Sequence, residues 1–174
     1  MKSFLAFDDF ELFGLPRRFA LDGADLDARR RALQAEVHPD RFAAADGAAR
    51  LAAMQSAVRV NEGYERLKDP LKRAAYLCEL AGAPIGAEDN TVMPVDFLDR
   101  QMTWREALDD AATTADLQRI EQEVADERKA AYERLTQSLD DSNDVAGAVR
   151  QVRALMFVER FADDVDDRLV ALER

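Results

Sequence analysis

The stretch VHPDRF, residues 37–42, decides how the N-terminal part of the chain folds. Proline lacks an amide hydrogen and disfavours the α region for the residue before it, so a helix arriving from residue 26 must end near His38. His38, Asp40 and Arg41 are therefore predicted to lie on a tight connection rather than on a packed face. An ordinary helix end would explain the proline but not the whole run.

His38 is the only histidine of the chain and Cys78 is its only cysteine. Because a zinc or iron site needs three or four ligands at suitable spacings, we expect no metal and no cofactor. A small hydrolase using His38 and Asp40 remains an alternative. However, a loop at the tip of a helical hairpin offers little of the concave, partly dry pocket that tunes acid and base groups. We therefore expect no enzymatic activity.

Composition favours a helical protein of one sizeable domain or two small ones. The chain has 174 residues, of which 48% are hydrophobic and 34% charged, and it contains only seven glycines and five prolines. Few helix breakers in an otherwise ordinary globular composition predict an all-α fold.

The net charge of -11 disfavours binding to nucleic acid or to anionic membranes. The one basic cluster, residues 29–31, is too small for a nucleic-acid footprint. Acidic residues among the first sixteen are not typical of a secretory or transit signal. No apolar run approaches membrane-spanning length. The single Cys78 excludes an internal disulfide and favours a reducing compartment, so we expect a cytoplasmic protein.

The N-terminal half is predicted to contain a short helical turn and three helices. Phe10, Phe13 and Leu15 of the turn are predicted to pack into the core. A helix capped by Asp25 ends at the loop, and after Gly47 a second helix forms an antiparallel hairpin with it. Asp69 and Pro70 begin a third helix. The positions predicted to face the core are Leu26, Arg30, Leu33 and Val37 on the first helix, with Arg29 and Arg31 toward solvent, and Leu51, Met54, Val58, Asn61, Tyr64 and Leu67 on the second.

Breakers cluster without periodicity between Gly82 and Pro94, so the domain boundary belongs there. Beyond it, periodic segments at about 95–111, 115–139 and 144–172 predict a three-helix bundle. Thr113 and Asp116 resemble a capping box, and Asn143 or Ser142 can cap the last helix. The predicted core stripes are Leu117, Ile120, Val124, Ala131, Leu135 and Leu139, and Val145, Val149, Val152, Leu155, Val158, Ala162, Val165, Leu169 and Leu172.

Three apolar residues do not fit these stripes. Phe157 lies about 200° from Leu155 around its helix, and Leu98 and Met102 lie about 100° to one side of the stripe formed by residues 97, 104 and 108. Carboxylates follow on the same row at positions 106 and 110. Such a patch grading into acids is typical of an interface, although a bundle helix with two neighbours can also have a wide core face.

Taken together, these motifs resemble a J-domain, the module by which co-chaperones engage DnaK-type chaperones. The whole chain resembles the HscB family, the J-domain co-chaperones of iron-sulfur cluster assembly. The resemblance rests on FELFGLP at 10–16, FALD at 19–22, HPDRF at 38–42, LKDPLKRAAYL at 67–77 and FLDRQMTWREAL at 97–108. It implies a J-domain at 1–82, a linker at 83–94 and a three-helix bundle at 95–174 that binds a scaffold protein.

The resemblance also implies which residues meet two partners. Those implied to dock on an HscA-type chaperone of the DnaK family, and to trigger ATP hydrolysis there, are His38, Pro39, Asp40, Arg41, Arg29, Arg30 and Arg31. Those implied to bind an IscU-type iron-sulfur scaffold protein are Leu98, Asp99, Met102, Thr103, Glu106, Asp110 and Phe157. Asp99 stands where the family often has an apolar residue, and Thr103 where it often has an acid.

The expected function is therefore that of an adaptor. The chain would bind the scaffold protein, deliver it to the chaperone and stimulate the chaperone's ATPase, acting as a monomer without nucleic acid, membrane or metal. The alternative is a J-domain co-chaperone for a different client.

Overall fold

The computed structural model describes residues 6–42, 46–86 and 95–172. The chain divides into two compact units, Met1–Leu77 and Cys78–Arg174. All regular structure in the described ranges is helical, which confirms the all-α prediction. The linker predicted at 83–94 lies partly outside these ranges, and its limits stay a prediction. The helices are α1 (Asp9–Phe13), α2 (Gly23–Val37), α3 (Gly47–Lys68), α4 (Pro70–Leu80), α5 (Val95–Asp110), α6 (Thr114–Thr136) and α7 (Val145–Leu172).

Helix α1 is the predicted short turn, and it is capped at both ends. Asp8 and Glu11 form a reciprocal capping box, and Gly14 ends the helix in the left-handed region at φ 63°. Phe10 and Phe13 are buried as predicted, while Leu15 is half-buried. Phe10 stacks on Tyr76 of α4 with ring centroids 6.1 Å apart, which joins α1 to the core of the N-terminal unit.

Helices α2 and α3 form the predicted hairpin, but the predicted cap of α2 is wrong. Asp22, not Asp25, accepts the hydrogen bond of the Ala24 amide at 2.8 Å. Asp25 instead accepts from Arg29 Nε, one turn on, at 2.9 Å. Across the hairpin, the hydroxyl of Tyr64 donates to a carboxylate of α2 at 2.7 Å.

The predicted apolar face of α3 is wrong over its first half. Leu51, Met54 and Val58 are 56%, 57% and 56% exposed, and Asn61 is also exposed. The buried residues of this helix are Ala53, Ser56, Val60, Gly63, Tyr64 and Leu67. The small residues among them allow close approach: a Cβ atom on Gly63 would lie 3.1–3.2 Å from Arg59, Asp9 and Phe13.

A buried carboxylate ties α1 to α3. Asp9 is fully buried, and its carboxylate pairs with Arg59 and, at 2.8 Å, with Arg66. The backbone amide of Asp9 donates to the hydroxyl of Tyr76 at 3.1 Å. Since an unpaired buried charge is very costly, these two guanidinium groups are what make this burial possible.

The C-terminal unit holds α5, α6 and α7, close to the three predicted segments. The capping box at the start of α6 is confirmed. The hydrogen bonds that Thr113 donates to the carboxylate of Asp116 lower the pKa of Asp116 from its ordinary value. The predicted cap of α7 is wrong: Asp144 accepts from the Gly147 amide at 2.9 Å. Ser142 instead donates to the carbonyl of Gln137, which begins a π-helical turn, Gln137–Asp141, after α6.

Most of the two predicted core stripes is buried; the exceptions lie at their ends and at Ala162. Leu117, Ile120, Val124, Ala131 and Leu135 of α6 are all buried, and so are Val149, Val152, Leu155, Val158 and Val165 of α7. Leu139, Val145, Ala162 and Leu169 are half-buried, while Leu172 is 41% exposed. The prediction missed Phe161, which is 2% exposed and stacks on Trp104 of α5 at 5.4 Å.

Candidate functional site

The VHPDRF stretch forms the end of α2 and a 3₁₀ turn at Pro39–Phe42. His38 leaves the helix at ψ 128°, as expected for a residue before proline. The Arg41 amide donates to the His38 carbonyl at 3.0 Å and closes the turn. The predicted helix end and tight connection are therefore confirmed.

The imidazole and the carboxylate of this loop both face water. The side chain of His38 is 57% exposed and that of Asp40 is 90% exposed. His38 Nδ1 accepts from the Asp40 amide at 3.3 Å and lies 3.5 Å from an Asp40 carboxylate oxygen. With Nδ1 used as an acceptor, a neutral imidazole carries its proton on Nε2. The loop therefore offers one N–H donor and one carboxylate acceptor side by side.

Arg41 has a local role in addition to any contact with a partner. Its Nη1 donates to the carbonyls of Ala35 and Glu36 at 3.1 and 3.4 Å. The last carbonyls of an α-helix have no partner within the helix, and a cation there also interacts favourably with the helix dipole. Arg41 thus caps α2 and fixes the loop to its end.

The three arginines of the basic cluster have different surroundings. Arg29 is half-buried, contrary to the prediction that it faces solvent, and its Nη1 donates to the carbonyls of Phe13 and Gly14 at 2.9 and 2.8 Å. Arg30 lies over the Tyr64 ring at 4.1 Å, in cation–π geometry. Arg31 is exposed as predicted. Only the third of these side chains is fully presented to solvent.

On α5, the apolar pair left over from the core stripe is exposed. Leu98 is 43% exposed and Met102 is 62% exposed, while Phe97 and Trp104 of the same helix are buried. The interpretation that Leu98 and Met102 merely widen the core is therefore wrong. They form an apolar spot on the surface of the C-terminal unit.

Phe157 is half-buried and belongs to an aromatic cluster rather than to open surface. Its ring meets the edge of Phe97 at 5.8 Å and stacks on Phe161 at 5.9 Å. Arg105 lies over the same ring at 5.7 Å. The structure therefore places Phe157 beside the face of α5 that carries Leu98 and Arg105, with one edge anchored in the core.

Of the four polar members of the predicted scaffold-binding set, three share one side of α5 and the fourth lies apart. Asp99, Glu106 and Asp110 are exposed along the outer side of α5. Thr103 donates to the Asp99 carbonyl at 3.1 Å and lines a shallow groove with Glu123 of α6, on the other side of the helix from Leu98. Thr103 is therefore at the far border of this surface.

Sequence reasoning missed two residues near this surface. Met156 is 52% exposed next to Phe157, and Arg105 adds a cation to an otherwise acidic rim. Both follow from helical geometry once Phe157 is known to face α5, but neither breaks a periodic pattern, so nothing in the sequence singled them out.

Three general features bear on ligands and surroundings. Within 6–42, 46–86 and 95–172, no group of three His, Cys, Asp or Glu side chains is arranged to hold a metal ion. Burial raises the pKa of the Cys78 thiol to about 11, which keeps it protonated and unreactive at neutral pH. In the described part of the chain, no helix is long and apolar enough to cross a membrane.

Comparison with known proteins gives consistent results over nearly the full length. The model of a family described as HSCB C-terminal oligomerisation domain matches residues 93–166. Co-chaperone HscB homologues of Burkholderia multivorans and Burkholderia thailandensis are 51% and 50% identical, each over 94% of this chain and 95% of the relative. Among solved structures, HscB from Vibrio cholerae matches with a TM-score of 0.81 and 36% identity. The match covers 95% of this chain and 99% of the Vibrio cholerae chain. Human co-chaperone HscB matches with a TM-score of 0.83 and 26% identity, covering 97% and 83%.

Proposed function

Because the chain belongs to the HscB family of co-chaperones, we propose that it couples an iron-sulfur scaffold protein of the IscU type to a specialised HscA-type chaperone of the DnaK family. The N-terminal unit recruits the chaperone and stimulates its ATPase, while the α5–α7 surface holds the scaffold. The observation that carries this proposal is the exposure of both polar side chains of the loop, His38 and Asp40.

The loop is suited to docking on a partner. Asp40 can accept a charge-assisted hydrogen bond from a cationic side chain, which is worth about 1.5–3 kcal/mol. The turn closed by Arg41 fixes the backbone of the loop, so little backbone ordering is required on binding. Arg31 is placed to steer the encounter with an acidic patch.

We further propose that the chain has no catalytic activity of its own and works in the cytoplasm as a monomer. Both loop side chains are open to water, whereas an acid–base pair usually requires a sequestered pocket. ATP hydrolysis therefore belongs to the partner.

The test is steady-state ATPase activity of an HscA-type chaperone with and without this protein. His38→Gln is expected to abolish stimulation while leaving the thermal melting curve unchanged, because the imidazole contributes nothing to the core. Arg18→Gln, an exposed change in the same unit, serves as the matched control and should stimulate like the natural chain. Undiminished stimulation by His38→Gln would contradict the proposal.

A second experiment tests the scaffold half. Calorimetry with a purified IscU-type scaffold should show micromolar binding, as expected for a small apolar patch. Stimulation of the chaperone without any scaffold binding would favour the alternative, a co-chaperone for a different client. ATP turnover by this protein alone would favour the hydrolase alternative.

A further inference from the structure

The C-terminal unit contains a concave site that the proposed adaptor function does not use. It is a half-open cavity of about 280 Å³ between α5, α6 and α7. Arg100 lies two positions after Leu98, a rotation of about 200° around α5, so the cavity opens away from the apolar spot. We call it the basic groove, and its lining residues are Phe97, Arg100, Glu127, Arg134, Arg150, Gln151 and Ala154.

The groove is positively charged in a strongly acidic protein. Among the described lining residues, three arginines face one carboxylate, that of Glu127, which leaves a surplus of two positive charges where the chain as a whole carries -11. A local surplus of positive charge attracts anions. Water and salt screen that charge less in a partly enclosed cavity than on an open surface.

Two of the arginines are held in place by groups within the groove. Glu127 pairs with Arg100 and, at 2.6 Å, with Arg134. Arg134 Nε also donates to the side-chain oxygen of Gln151 at 2.9 Å. A guanidinium carries five N–H donors, so both arginines keep donors free for a ligand after these contacts.

The third arginine completes the site. Arg150 is exposed at the start of α7, and within the described residues no carboxylate lies at ion-pair distance from it. Its planar fork of donors matches the oxygens of a phosphate group. Phe97 and Ala154 provide a short apolar wall beside these donors.

We propose that the basic groove binds a small ligand that carries phosphate groups. A phosphate dianion neutralises the surplus of two charges, and three guanidinium groups can surround its tetrahedral oxygens. The cavity has room for a diphosphate but not for a folded partner. The site is separate from the apolar spot of the same unit.

Titration of the full-length protein with inorganic pyrophosphate, followed by calorimetry at constant ionic strength in sodium chloride, tests the proposal. The natural chain is expected to bind one pyrophosphate. Arg150→Ala should weaken binding about tenfold, and Arg150→Lys should recover part of the loss by restoring the charge without the fork. Arg160→Ala, which removes an exposed arginine of α7 outside the groove, should leave the affinity unchanged.

A parallel titration with ADP distinguishes the source of the phosphate group. Tighter binding of ADP than of pyrophosphate assigns a nucleotide, and equal or weaker binding assigns an inorganic or smaller phosphate; either supports the site if Arg150→Ala weakens it. No binding of either probe, or equal losses in Arg150→Ala and Arg160→Ala, would overturn the proposal, because the attraction would then be absent or general.

Discussion

The two candidate surfaces differ in how closely they are joined to the core. In the N-terminal unit, His38 and Asp40 stand on a turn, with their contacts to each other and to the local backbone. In the C-terminal unit, Phe157 stacks on Phe161, which stacks in turn on Trp104. The first surface can therefore change without disturbing the fold, whereas the aromatic part of the second, Phe157, cannot.

The two surfaces are joined to the core differently because they make different kinds of contact with a partner. A polar loop acts through hydrogen bonds that must stay accessible, so it needs exposure and a fixed backbone. An apolar patch acts through buried area, and a large ring held from one side by the core presents that area with little loss of side-chain freedom. The aromatic anchor is thus shared between stability and binding.

Among the contacts of the natural chain, the buried ion pairs of the N-terminal unit have the largest expected effect on stability. Asp9→Ala would leave Arg59 and Arg66 without their buried counter-charge, and we expect a loss of about 3 kcal/mol in the free energy of unfolding. Urea denaturation followed by circular dichroism measures it. The matched control is Lys72→Ala, which breaks an exposed ion pair with Asp69 and should cost less than about 1 kcal/mol. Equal losses in the two variants would show that the buried carboxylate does not hold α1 to α3.

Phe157→Ala should affect both properties at once. Removing a half-buried ring from the aromatic cluster is expected to cost about 2 kcal/mol of stability and to weaken scaffold binding about tenfold. Denaturation and calorimetry on the same variant measure the two losses. Met156→Ala, at the exposed neighbouring position, is the control and should change stability by no more than about 0.5 kcal/mol. A Phe157→Ala variant of natural stability would break the contrast between the two surfaces.

The exposed pair on α5 should separate binding from stability. Leu98→Ala combined with Met102→Ala removes side chains that are mostly in water, so we expect about tenfold weaker scaffold binding with a change in stability of no more than about 0.5 kcal/mol. Calorimetry and thermal melting measure the two quantities. Unchanged affinity would remove this pair from the interface, and a collapsed melt would place it in the core.

Much of this fold is predictable from the sequence because helix ends have specific chemistry. The helix stop at Pro39, the Asp69-Pro70 start and the Thr113 capping box were all predicted, since each depends on neighbours along the chain. The caps at Asp22 and Asp144 were not. Near the start of each of these two helices, several short polar residues could cap the helix. Which one does so depends on whether the others already have a partner, as Asp25 does in Arg29.

The candidate site was predictable in part for the same reason. The open loop follows from proline, whereas the angle of Leu98 and Met102 to the buried stripe left both exposure and a wide core face open, and the structure shows exposure. The packing of Phe157 against Phe97 could not be foreseen, because it depends on the rotation of α7 relative to α5. Periodicity within one helix carries no information on that rotation.

The clearest failure was the first half of α3, where apolar side chains at helical spacing face water. The buried face there consists of Ala53, Ser56 and Val60, whose small size lets the neighbouring helices approach closely. The larger apolar residues on the outer side of α3 also have helical spacing, so they were predicted to be the buried face. Hydrophobic spacing finds a helix reliably, but it does not decide between two faces when the packed one is made of small residues.

The smallest expected effect tests this reversal within the N-terminal unit. Val58→Lys places a charge on the outer face of α3, and because Val58 is 56% exposed we expect a change in stability of no more than about 0.5 kcal/mol. Val60→Lys, two positions on, buries the same charge at a fully buried position and should prevent stable folding. Thermal melting of both variants measures the contrast. A loss of more than about 2 kcal/mol in Val58→Lys would mean that another part of the chain covers this face, and the prediction from periodicity would be right after all.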